Sequence, residues 1–94
     1  MTTLDQIATK IIKEQELIVG PIAWYEAGKV KGLHLIDEKS GAVSIENGDG
    51  STVVDKLVSQ YENLFGLASR EVCREAAASL VADLMPSEVP ASLR

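Results

Sequence analysis

Apolar residues recur along this chain in three blocks spaced for helices and one block spaced for strands. In the first block Leu4, Ile7, Ala8, Ile11, Ile12, Ile18 and Val19 return at steps of three and four. That spacing lines one side of an α-helix, because 3.6 residues complete a turn. Thr3 followed by Gln6 has the form of a capping box. Gly20 and Pro21 make a stop signal: the glycine accepts a left-handed C-terminal conformation, and the proline has no amide hydrogen with which to continue. Gln15 falls on the same stripe and is expected at its edge, with the amide reaching water. A second, shorter helix is expected from Pro21 onward. Ile22, Ala23, Ala27 and Val30 would form its inner face, Gly28 weakens it and Gly32 closes it.

The period then changes from three-and-four to two. Leu33 and Leu35 alternate with His34 and Ile36, and Val43 and Ile45 alternate with Ser44 and Glu46. Between them lies "DEKSG", where Asp37 and Gly41 suit a turn, so the stretch predicts a β-hairpin. Two strands are marginal in water by themselves, and helices must cover one face. The helical period returns in Val53, Val54, Leu57, Val58, Tyr61, Leu64 and Phe65, ending at Gly66. It returns again in Val72, Cys73, Ala76, Ala77, Leu80, Val81 and Leu84, ending at Pro86. Ser69 is expected to cap the last helix, with Glu71 near its positive end. The short link between these two helices predicts an antiparallel helical hairpin. Residues 1–85 read as a single globular domain and residues 86–94 as a loose C-terminal tail. The order is α, short α, β, β, α, α. The fold class is α+β, helices packed on a two-stranded antiparallel hairpin.

Composition narrows the function classes. A chain of 94 residues that is 46% apolar supports one modest core, and burial in an oligomer would add to it. Its 9 basic and 14 acidic residues give a net charge of −5, with no basic face of the kind that displaces counterions from nucleic acid. The stretch "SQYENLFGLASREVCREAA" has the outline of a DNA-reading helix-turn-helix. Glu62, however, stands where that motif usually has a small residue, and Glu71 and Glu75 would repel a phosphate backbone. The single cysteine, Cys73, permits no internal disulfide and no cysteine zinc site. Its place on the inner stripe predicts burial as a small hydrophobe. Asp5, Lys10, Lys13 and Glu14 interrupt any export segment, and no apolar run approaches a membrane span. The expectation is a cytoplasmic protein that engages neither membrane nor nucleic acid.

The most site-like stretch is "ENGDGSTVVDKL", residues 46–57. A phosphate loop needs a lysine at the loop's end, but Lys56 comes a helical turn late, and Glu46 and Asp49 add negative charge. A calcium loop counted from Asn47 needs glycine where Thr52 stands and glutamate where Val58 stands. A helix start suits every residue: Asn47 and Gly48 turn the chain, and Ser51 or Thr52 caps, with Asp55 completing a box. His34 has no histidine or cysteine near it in sequence and reads as a surface or interface side chain. Trp24 and Tyr25 are adjacent, so on a helix they point about 100° apart and a short helix cannot bury both. One of them must face out, where aromatics serve interfaces.

No catalytic, cofactor or metal residues are therefore expected. The sequence reads as a non-enzymatic interaction or regulatory module, homo-oligomeric, with a possible further protein partner. A small-ligand sensor with a pocket between hairpin and helices is the second reading. Trp24, Tyr25 and His34 are the candidate partner- or ligand-contact residues.

Overall fold

A computed structural model describes residues 3–37, 41–45 and 50–94. The elements are α1 (Thr3–Val19), α2 (Ile22–Ala27), β1 (Leu33–Asp37), β2 (Ala42–Ile45), α3 (Gly50–Phe65) and α4 (Ala68–Val81). Two single 3₁₀ turns follow, at Pro86–Glu88 and Ala91–Leu93. The fold is α+β, with the predicted order and with helices packed on an antiparallel two-stranded sheet.

α1 lies at the centre of this arrangement and touches α2, α3, α4 and β2. Its Ile7, Ala8, Ile11 and Ile12 are wholly buried. The chain leaves α1 through Gly20 at φ 84°, a conformation costly for any residue with a Cβ. α3 starts beside Leu4 and ends near α2, where the Tyr61 hydroxyl donates to the Ala23 carbonyl at 2.7 Å. α1 and α3 therefore run in the same general direction. α4 returns from the turn at Gly66 and packs along both.

The hairpin pairs Leu33 with Ile45, His34 with Ser44, Leu35 with Val43 and Asp37 with Ala42, so the register slips by one residue at Ile36. Leu33 and Val43 face the core while His34 and Ile36 face out, as alternation requires. Gly41 turns at φ 75°, and a side chain there would meet the end of the Lys13 side chain. One end of the sheet is tied to α1 by the Ile45 amide, which donates to the Asp5 carboxylate at 2.9 Å.

Several expectations about individual residues are corrected. Gln15 is buried rather than wet. Its amide donates to the Ser69 carbonyl at 3.2 Å and to Cys73 Sγ at 3.5 Å, because α4 closes over that part of the stripe. Ser69 is consequently not a cap: α4 has Leu67 at its capping position with no side-chain bond, and Ser69 is buried one residue inside the helix. Thr3 already lies within α1, and residues 1–2 lie outside the described residues. The expected turn at Asn47 and Gly48 also falls outside them. Ser51 sits inside α3, and its hydroxyl donates to the Glu88 carbonyl at 2.6 Å. Asp55, expected in a capping box, instead accepts from the Ser92 amide at 3.0 Å and the Ser92 hydroxyl at 2.6 Å.

These last bonds hold residues 86–94 against the body. Pro90 and Leu93 are buried, and the turn at Ala91–Leu93 packs on α3 and α4. A segment with two buried apolar residues and three hydrogen bonds from or to α3 is docked, which differs from the loose tail that its composition suggests. Its proline-rich sequence has no helical or strand period, so its burial leaves no periodic mark.

Two outcomes follow for chemical denaturation. Leu57 is wholly buried in α3, and Leu57→Ala is expected to cost about 2–5 kcal/mol, more than Ser51→Ala, whose lost hydrogen bond is worth about 0.5–1.5 kcal/mol. Leu93→Ala is expected to fall in the same range as Leu57→Ala, about 2–5 kcal/mol, whereas a change in a loose tail would stay within about 0.5 kcal/mol.

Candidate interaction surface

The shared direction of α1 and α3 brings their C-terminal ends to one end of the molecule. α2 and the turn between α3 and α4 are there too, since Tyr61 reaches Ala23 and Gln15 reaches Ser69. Helical stripes run past the last element able to cover them at such an end. Among the described residues eight large hydrophobics are exposed, and six belong to this end: Leu17, Ile18, Ile22, Tyr25, Leu64 and Leu67. Leu17 is 80% exposed and Leu67 71%. Scattered apolar side chains are ordinary on a protein surface, but a concentration at one place marks a contact site.

Three of these residues were expected inside. Ile18 and Leu64 continue their stripes beyond the neighbouring helices, and Ile22 is turned out because α2 is phased differently from the expectation. The inner face of α2 is Ala23, Trp24, Glu26 and Ala27. Trp24 is 6% exposed, and Tyr25 is 67% exposed. The adjacent aromatics are thus split between core and solvent, as one short helix requires. The Lys29 ammonium lies 4.6 Å from the Tyr25 ring centroid, a cation–π contact that steadies the outward ring.

The structure does not gather the three candidate contact residues. Tyr25 stands at the apolar end. Trp24 is buried and lies near Gly41 at the turn of the hairpin. His34 is exposed on the outer side of β1, opposite Ser44, at the sheet end that Asp5 ties to the start of α1.

Beneath the apolar end lies a polar layer that sequence reading missed. Glu26 is almost fully buried. One carboxylate oxygen accepts from Gln60 Nε2 at 2.7 Å, and the other pairs with Lys29 Nζ at 3.2 Å. A buried carboxylate without such partners would be costly. Tyr61 is buried beside this layer. Burial above all, with Cys73 and Glu26 adding, raises its hydroxyl's pKa, so it remains a donor to Ala23. The signal for Glu26 was its placement three residues before Lys29 on the phase that buries Ala23 and Ala27, but the phase was fixed only by packing.

Cys73 is wholly buried, as its stripe predicts. Burial pushes its thiol up to about 11, against a lowering by the hydrogen bond from Gln15 and a further raising by Glu62. It is therefore a neutral thiol at physiological pH, not a nucleophile. Between α3 and α4, Arg70 pairs with Glu62 at 2.9 Å, and within α4 Arg74 pairs with Glu71 at 3.1 Å. Among the described residues no three His, Cys, Asp or Glu side chains gather as a metal site needs, and no helix is long and apolar enough to cross a membrane.

No protein-family model, curated protein or solved structure matches this chain.

Cys73 is expected to react with a thiol reagent at pH 8 orders of magnitude more slowly in the native protein than in denaturant. Its pH effect has a definite sign. The unfolded thiol ionises near 9 and the folded one near 11, so the unfolded state loses its proton first. The contribution from Cys73 is fully present below pH 9 and is lost as pH rises toward 11. Denaturant melts of the native chain and of Cys73→Ala at pH 8, 9 and 10 are expected to converge as pH rises.

Proposed function

We propose that this chain is a non-enzymatic, cytoplasmic protein-interaction module that self-associates through its apolar end. The observation that carries the reading is the concentration of Leu17, Ile18, Ile22, Tyr25, Leu64 and Leu67 at one end of the helical layer. Closed symmetric dimers form when one patch meets its own copy, and such a patch must be self-complementary. An apolar patch meets that condition without matching charges, which matters for a chain of net charge −5 whose copies repel elsewhere. Tyr25 supplies the rigid, amphipathic area that interface anchors use, and Lys29 holds its ring in place. The pairing of Arg70 and Arg74 with carboxylates supports leaving nucleic acid out of the reading.

The aromatic pair separates this function from core packing. Tyr25→Ala is expected to change the melting free energy by no more than about 0.5 kcal/mol, because the side chain is exposed. It is expected to weaken self-association by about 2 kcal/mol, measured by sedimentation equilibrium. Trp24→Ala is expected to do the reverse, costing about 3–5 kcal/mol of stability. A monomer mass for the native chain at about a hundred micromolar, where even a weak dimer of standard interface size is populated, would refute the proposal.

A further inference from the structure

A groove beside the apolar end has a different character. Its one wall is the link from α2 to β1, and its other wall is the outer face of α3. The groove is open to solvent and has a volume of about 380 Å³.

The wall is built to stay in place. Gly32 has φ 92°, and a Cβ there would stand 2.9 Å from Val53 Cγ2, so the link lies tight against α3. Val30 is buried beneath it. Gln60 on α3 and Lys29 on the link are both bound to the buried Glu26 carboxylate, which joins the two walls through one charged centre.

Charge sets the ligand class. Three of the nine basic residues of this acidic chain, Lys29, Lys31 and Lys56, line the groove. Glu26 balances Lys29. Asp55, the acid in the lining, directs one oxygen to both donors of Ser92. Lys31 and Lys56 remain as exposed ammonium groups on opposite walls. Beside them α3 presents Ser59, Gln60 and Asn63, which are hydrogen-bonding side chains without charge. No arginine lines the groove; its lysines act as point charges, which is one established way of holding a phosphate.

We propose that this groove binds the phosphate group of a small molecule, with Lys31 and Lys56 closing on it from the two walls. Ser59 and Asn63 face whatever the phosphate is attached to. The groove adjoins the apolar end through Lys29, whose ammonium lies 4.6 Å from the Tyr25 ring centroid.

The test is a titration of the isotope-labelled full chain followed by backbone amide shifts, with inorganic phosphate in one arm and glycerol 3-phosphate in the other, at constant ionic strength. Saturable shifts are expected at residues 29–32, Lys56 and Ser59–Asn63. Lys31→Gln and Lys56→Gln are each expected to weaken binding by about three- to tenfold, the loss of one exposed charge-assisted contact. Lys13→Gln on α1 is expected to leave it unchanged, and the spectra themselves report whether each variant is folded. Tighter binding of glycerol 3-phosphate assigns a phosphomonoester, and equal binding assigns free phosphate. Shifts that do not saturate, that appear equally around Lys10 and Lys13, or that survive both groove substitutions would overturn the proposal.

Discussion

The structure depends on the burial of α1 from several sides at once. Ile7, Ile11 and Ile12 have no exposed surface because α3, α4 and the hairpin each cover part of them. Removing any one of those neighbours would expose a side of the same helix. This is how a chain of 94 residues assembles a single core from short elements. The two-stranded sheet, marginal alone, is one of the covers and in turn is held by the Asp5 carboxylate at its end.

Gln15 is the polar counterpart of that burial. An amide set among apolar side chains is tolerated only where its hydrogen bonds are met, and here α4 meets them with the Ser69 carbonyl and the Cys73 sulfur. Apolar contacts alone would let α4 slide along α1 with little penalty. A buried amide with partners in one place resists such a slide, since every other register leaves it unpaired. Glu26 has the same effect between α2 and α3, through Gln60 and Lys29. The two buried polar groups therefore define how the helices are set against one another, and with that where their exposed ends gather.

The apolar end and the lysine groove are consequences of that setting. Leu17, Ile22 and Leu67 lie toward one end of the helical layer because α1 ends there, α2 starts there and the α3–α4 turn is there. Lys31 and Lys56 line one groove because Gly32 lets the α2–β1 link lie close against α3. Each is a relation between elements distant in sequence. The two surfaces adjoin at Lys29, which lines the groove and lies over the Tyr25 ring.

Local pattern by itself determined the order and type of the four α-helices and two strands, the turns at Gly20, Gly41 and Gly66, the burial of Cys73, and the need for one of Trp24 and Tyr25 to face out. Those follow from periodicity and backbone sterics, which act over a few residues. Tertiary structure alone decided which aromatic went inside, because a six-residue helix such as α2 is phased by what it packs on and not by its own weak stripe. It also decided that Gln15 is dry, that Ser69 serves through its carbonyl, and that residues 86–94 dock through Asp55 and Leu93. A polar residue on an apolar stripe looks the same in sequence whether water or a partner satisfies it. The partner lies 54 residues away for Gln15 and Ser69, and 37 for Asp55 and Ser92, distances over which only the packed fold carries information.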